Sequence, residues 1–565
     1  MSLKIIVDDR KYKVWKIINY LNFEDVDNPE IDPYKTKLFN QDVFNMNGTE
    51  IHIKHSTVRN TDMLLGVLVL DTKTTYGKVD NKFYYQCIPD DRRLPVFLIT
   101  YNKKEKFSKK AINKYVIFKF KHWNDKHPIG ELINSIGDVD KLGNFYEYQL
   151  YCKSLYASIQ NFNKETMKAL KNKSEETYIH LIKEANKIEN RESWNVYTID
   201  PKTSKDYDDA FSIRTLNDNT VLLSIYIANV SLWMNIMNLW NSFSKRISTI
   251  YLPDRKRPML PTILSDVLCS LNENTIRFAF TMDIYLDENG VIIEKKYLNT
   301  SIKVKRNFAY EEKDLLNNSE YKKLFIIVKL MNKQNYYLDH IHSSHDVINY
   351  LMVLMNYLSA KEFLKYNNGL FRSFKYNNDY YIPDGISDEL KKFLKTWYGN
   401  GSKYVKVEDD HHHDIMKFNE YIHITSPIRR LVDLLNLLQL QDNLNILSFN
   451  DKSKLFYHEW IKDDMIDYIN LTMRSIRKVQ NDCELLTKLI QIPYLLETIY
   501  SGCVFDKIQR KDGLFQYVVF LKELKLVSKL ITYKEISDYT EHNFKLYLFQ
   551  DKEQLKRKVR IELQI

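Results

Sequence analysis

Residues 197–213, YTIDPKTSKDYDDAFSI, put Asp200, Asp206, Asp208 and Asp209 into one short run with no basic residue after Asp206. The segment before Asp200 reads as a strand, Pro201 ends its ladder pairing, PKTSKD is turn-rich and AFSI is apolar again. The aspartates are therefore expected where a loop joins two strands. Carboxylates held this closely repel one another unless a divalent cation neutralises them, and hard oxygen ligands suit Mg²⁺ or Mn²⁺. In a regular strand Asp206 and Asp208 would share one face and Asp209 would point away, so a single site requires irregular backbone between them. The loop lacks the central glycine and terminal glutamate of an EF-hand. Taken alone, D-x-D-D fits a solvated acidic turn as well as a cation site.

A second segment favours the cation site. Residues 421–440 read YIHITSPIRRLVDLLNLLQL, in which Ser426 suits an N-cap, Pro427 the first helical position, and Ile428, Leu431, Leu434, Leu435 and Leu438 an apolar helical stripe. Arg429 and Arg430 are then expected in the first helical turn. Cations are disfavoured at the positive end of a helix dipole, so two arginines there point to an anionic partner such as phosphate. An internal Arg429–Asp433 pair at i,i+4 is the competing reading.

Around these segments, the 565 residues correspond to about three to five units. Lys+Arg 83 against Asp+Glu 73 gives a net charge of +10, which favours a polyanionic partner but is too small for a DNA-packaging protein. Tyr 40 and Phe 28 supply core filling and faces on which unpaired bases can stack. The five cysteines form no CxxC pair, which argues against a zinc site or a disulfide framework. The charged N-terminus and the lack of a long apolar stretch predict no membrane span, no export signal and a cytoplasmic protein.

Strand-like runs broken by Asn, Asp, Gly and Pro predict a barrel over 48–105 and a second over 106–160, behind an extension at 1–47. A helical connector is expected over 161–193, a large α+β domain over 194–495, and a third barrel over 496–565. The fold class is thus α+β and multidomain, with small barrels flanking the carboxylate-bearing core.

T-I-D-P followed by D-Y-D-D-A, and later H-I-T-S-P-I-R-R, resemble the RNase II / RNase R (RNB) family of exoribonucleases. IYLPDRKRPMLPTILSDVLCSLNENTIRFAF at 250–280 is similar to a further family stretch. DDRRLPVFLITY and HPIGELINSIGD resemble the paired cold-shock-type OB-fold barrels of the eukaryotic exosome-type branch, here without that branch's N-terminal endonuclease domain. The resemblance implies Mg²⁺-dependent, processive 3′→5′ hydrolysis of single-stranded RNA to nucleoside 5′-monophosphates by a two-metal mechanism, in a monomer. By motif position Asp200 and Asp209 are direct metal ligands, Asp206 a further ligand or supporting carboxylate, and Asp208 the residue most critical to turnover. Arg429 matches the arginine facing the scissile phosphate, Tyr251 an aromatic that stacks on the terminal base, and Tyr310 a tyrosine near the active centre. Arg430, His423, Arg277 and Arg372 fall at family-like places suited to RNA contact or support.

Leu431, Leu437 and Leu438 depart from the Tyr and His-Arg usual after SPIRR, on or beside the apolar stripe, where they affect helix packing more than chemistry. The run EDDHHHD at 408–414 reads as a solvated loop, since adjacent histidines rarely converge on one ion. Lys552, Lys556, Arg557, Lys558 and Arg560 suit either an RNA path or a solvated face. A catalytically inactive, RNB-like RNA-binding protein is the alternative reading of the whole chain.

Overall fold

Leu3, Ile5 and Val7 turn inward at every second position of the strand Ser2–Val7, the period of a half-buried strand. In the computed structural model, which describes residues 2–26, 31–48, 50–72, 74–102, 111–216, 220–377, 379–552 and 555–564, this strand centres an antiparallel sheet. Its strands are Ser2–Val7, Trp15–Asn19, Asp25–Val26, Val43–Asn47 and Glu50–His55, in spatial order third, second, first, fourth, fifth. Residues 1–47 are thus no extension ahead of a barrel: they supply four of its five strands. No glycine or proline lies in the turns between its first three strands. Tyr12, Phe23 and Gln41 adopt positive φ, and the Asp9 carboxylate accepts from the backbone N–H of Lys11, Lys13 and Val14.

Strands Leu64–Leu68, Lys82–Pro89, Phe97–Tyr101, Lys114–His122 and Ile129–Asp138 close into a ring. The first pairs with both the second and the fourth, and the fifth runs parallel to the third. This barrel lies on both sides of the expected 105/106 boundary, which itself falls outside the described residues. The two N-terminal sheets share one apolar core, where Phe39 stacks on Phe97 at 5.8 Å and on Trp123 at 4.8 Å. A third sheet, from Tyr500–Gln509, Phe515–Leu521, Leu526–Thr532, Thr540–Gln550 and Arg557–Leu563, repeats the order third, second, first, fourth, fifth. These sheets belong to one compact unit, formed by 1–156, 252–254 and 478–565.

The other unit, 157–251 with 255–477, is built on a seven-stranded mixed sheet. Its spatial order is Ile188–Arg191, Ile292–Lys303, Ile276–Leu286, Val221–Ala228, Asp209–Thr215, Tyr197–Asp200, Arg306–Ala309. Helices Gln160–Asn172 and Glu175–Ala185 fill most of the expected connector. Ile188–Arg191, however, pairs with Ile292–Lys303 and belongs to the sheet, so the core begins before 194. Buried Arg191 fixes that edge through Asp283, at 2.8 and 2.6 Å.

Helices Ser319–Gln334, Ser344–Tyr366 and Leu431–Asn443 contribute with the sheet to one large apolar core. Leu431–Asn443 is buried almost all round, including Leu431, Leu437 and Leu438. Two of its buried amides are tied into the surrounding structure: Asn436 bonds the backbone of Leu370 on both sides, and the Gln441 side chain bonds Asn229 and Ser231. No helix among the described residues is long and apolar enough to cross a membrane.

Candidate active site

Asp200 ends the strand Tyr197–Asp200, Asp209 opens Asp209–Thr215, and residues 201–208 between them are loop. This is the irregular backbone that a single site requires. Tyr197 faces Phe211 in antiparallel register, so Asp200 and Asp209 lie at the same end of two neighbouring strands. The loop is tied down from other elements: Tyr207 N–H donates to Ser270 Oγ at 3.0 Å, and Ala228 N–H to the Asp208 carbonyl at 2.8 Å.

Each carboxylate has its own surroundings. Asp208 is buried; Oδ1 accepts from the Ile428 N–H at 3.0 Å and Oδ2 from Arg429 Nε at 2.9 Å. The Arg429 side chain is 44% exposed, and its two Nη groups make no hydrogen bond to another described residue. Asp206 is taken on both oxygens, Oδ1 by Lys256 Nζ at 3.0 Å and Oδ2 by the Tyr251 hydroxyl at 3.2 Å. Asp200 Oδ2 and Asp209 Oδ2 are buried with no hydrogen-bond partner.

Burial dominates the acidities. It pushes Asp200 up to about 7, with the charges of Asp208 and Asp206 adding to it. Asp208 rises to about 6, burial outweighing the Arg429 charge, and Asp209 is driven well above the ordinary range by burial and then by Asp200 and Asp208. Two bare, buried carboxylate oxygens need a proton or a cation, and the donor chemistry of Asp200 and Asp209 fits Mg²⁺ or Mn²⁺. Among the described residues no three His, Cys, Asp or Glu side chains gather at metal-ligating spacing, so the fit is to a pair and not to a preformed cage.

Two tyrosines border the aspartates. Tyr251 is 43% exposed, and Tyr310 donates its backbone N–H to the Asp200 carbonyl at 3.0 Å while its ring meets His345 edge-on. Burial, then the charges of Asp209 and Asp200, push the Tyr310 hydroxyl up.

Arg430 and His423 turn away into a supporting network. Arg430 donates to Asp433 Oδ1 at 2.9 Å and Ser426 Oγ at 3.2 Å, and lies 3.2 Å from His423 Nδ1, which also meets the Tyr404 hydroxyl at 2.8 Å. Burial, followed by the Arg430 and Arg372 charges, holds His423 well below its ordinary value. Arg277 is buried and paired with Glu175 at 2.8 Å, and Arg372 packs on the Tyr404 ring at 4.8 Å.

The helix begins at Leu431, not after Ser426, and Arg430 is its N-cap residue. Asp433 reaches back to the Ser426 N–H at 2.8 Å as well as to Arg430, and Arg430 bridges to Ser248, so 427–429 form a turn ahead of the helix. Arg429 is thus positioned by Asp208, not by a first helical turn, and the internal ion pair is Arg430–Asp433. In the histidine run, His412 is exposed and His411 half-buried, whereas His413 is buried and burial pushes it down to about 4. Lys256 was not legible as a site residue. Its place follows from the register Tyr251↔Lys256 in a two-stranded ribbon, which sequence spacing does not announce.

Residues 188–325 match the RNB domain model and 84–145 the Dis3-like cold-shock domain 2. A DIS3-like exonuclease 2 from Schizosaccharomyces pombe is 31% identical over 241 residues, 40% of this chain and 25% of that protein. A ribonuclease R from Ureaplasma parvum is 30% identical over 236 residues, 41% of this chain and 31% of that protein. The matched segments therefore span about a quarter to a third of these relatives. Among solved structures, Mycoplasma genitalium RNase R in complex with ribose-methylated single-stranded RNA covers 100% of both chains at TM-score 0.66 and 17% identity, a likeness of fold. Yeast Ssd1, a pseudonuclease, covers 96% of this chain and 80% of its own at TM-score 0.54 and 14% identity. Residues 188–325 thus carry the match to an RNB domain, preceded by the match to a Dis3-like cold-shock domain, in a chain whose fold is an α+β core with OB-type barrels before and after it in sequence.

Proposed function

We propose that this chain is a Mg²⁺-dependent exoribonuclease that degrades single-stranded RNA processively from its 3′ end, as a monomer, and releases nucleoside 5′-monophosphates. The observation that carries the reading is the pairing of two bare, buried carboxylate oxygens, on Asp200 and Asp209, with an arginine whose Nη groups are free beside them. Asp200 and Asp209 hold the ion. When bound, Mg²⁺ supplies Lewis acidity and an activated water for phosphodiester hydrolysis. Arg429 presents its Nη groups to the non-bridging phosphate oxygens and stabilises the charge that grows on them. Asp208 fixes the guanidinium through Nε and so leaves the outer edge of the fork for phosphate. Tyr251 offers an exposed ring to the terminal base, with Tyr310 on the Asp200 side of the site; stacking accepts any base, so degradation is independent of sequence.

A catalytically silent RNA-binding protein is the second reading, favoured by the lack of a three-carboxylate cage among the described residues. Uniformly labelled RNA incubated with Mg²⁺ or with EDTA separates the two. Nucleoside monophosphates should form only with the metal, and should disappear in Asp208→Asn while RNA binding persists. Binding without degradation under every condition rejects the enzyme.

A further inference from the structure

Three of the four aspartates, Asp200, Asp209 and Asp206, divide into two electrostatically distinct sets. Asp200 Oδ2 and Asp209 Oδ2 have no partner, whereas both oxygens of Asp206 are engaged. The ribbon Ile250–Tyr251 / Lys256–Arg257 accounts for the second set: Tyr251 and Lys256 face each other in register, and each reaches one oxygen of Asp206. Directly opposed residues of a two-stranded ribbon point to the same side, so one short hairpin delivers both contacts. The ammonium is shared with Asp266 Oδ1 at 2.9 Å, and Asp266 is in turn held by the Ser265 hydroxyl at 2.5 Å. The Lys256, Asp206 and Asp266 side chains are only 22%, 10% and 15% exposed, so the triad is protein-enclosed and not a mobile surface pair.

Phosphodiester hydrolysis with two divalent ions needs carboxylates for both. Here the carboxylate that would help hold a second ion already carries a fixed cation at hydrogen-bond distance. We propose that Lys256 takes the place of a second divalent ion at Asp206, so that the site binds one metal ion, on Asp200 and Asp209, instead of two. The inference rests on the metal-dependent reading above and deepens it. Lys256 acts as a positioning residue: it neutralises Asp206 and, with Tyr251, fixes the carboxylate beside the ion-binding pair. Because an ammonium is compact and supplies three donors, it serves Asp206 and Asp266 together, which a methionine of similar length cannot do.

The test counts ions without using activity. The full chain is stripped with EDTA, freed of chelator and titrated with Mn²⁺ in the absence of RNA, and bound ions are measured by electron paramagnetic resonance. Wild type should saturate at one ion per chain, and Asp206→Asn should leave that count at one. Asp200→Asn should abolish the bound ion. Lys256→Met, checked for folding by circular dichroism, frees Asp206 and should raise the count to two, and Lys256→Arg should keep it at one. Two ions on wild type, loss of the ion in Asp206→Asn, or one ion on folded Lys256→Met would each overturn the assignment. No ion on wild type overturns both this inference and the metal-dependent reading, whereas one ion with no RNA hydrolysis defeats only the exonuclease reading.

Discussion

Arg429 is held by one atom and presents two others. Its Nε is committed to Asp208, and both Nη groups remain for a ligand, an arrangement that lysine cannot reproduce because it lacks a planar fork. Arg429→Lys should lower kcat by about 10²- to 10³-fold, the scale for losing a transition-state hydrogen-bond donor, with a much smaller change in KM. Steady-state kinetics on an oligonucleotide checks this, and an unchanged kcat would remove Arg429 from the chemistry. The carboxylates make a second prediction, in the metal-free protein. Asp200 is raised to about 7 in the fold, so between its ordinary value and 7 the folded state holds a proton that the unfolded state releases. Its contribution to stability therefore falls as pH rises through that window. In EDTA, Asp200→Asn should gain melting temperature relative to wild type between pH 5 and pH 8, and Mg²⁺ at pH 8 should narrow the gap. A gap that does not change with pH contradicts the shift. At this scale the aspartates and Arg429 were legible because they are adjacent in sequence or lie in a motif. Lys256 was not, since only the ribbon register brings it to Asp206.

Local signals located most elements but misplaced three beginnings. Ser426-Pro427 is a good helix start by propensity, yet tertiary bonds override it: Asp433 claims the Ser426 N–H and Arg430 bridges to Ser248, so helical winding waits until Leu431. The strands within 1–47 escaped because their turns use Tyr12, Phe23 and Gln41 at positive φ in place of glycine. The sheet edge Ile188–Arg191 escaped because a four-residue strand has almost no periodicity of its own; its attachment depends on buried Arg191 and Asp283. Removing one partner strands a buried charge, so Asp283→Ala should destabilise the core unit by about 3–5 kcal/mol. Urea unfolding of the variant measures it; a loss below about 1 kcal/mol, the usual value of an exposed pair, would show that the bridge does not hold the edge.

Across the whole chain, the barrels were readable as a class and not as boundaries. Strand-rich composition announced small barrels at both ends, while their limits depend on pairings between distant segments, such as the parallel contact of Ile129–Asp138 with Phe97–Tyr101 that closes the second ring. All three small sheets share one strand order up to the closure of that ring, and they accompany a core whose carboxylates and free arginine edge suit a phosphodiester. We propose that this core removes nucleotides from an RNA end. Linear and circular RNA of the same sequence, incubated with the full chain and Mg²⁺, test it most directly. Linear RNA should be converted to nucleoside 5′-monophosphates while the circle stays intact; cleavage of the circle, or a linear RNA bound but never shortened, would overturn the exonuclease reading.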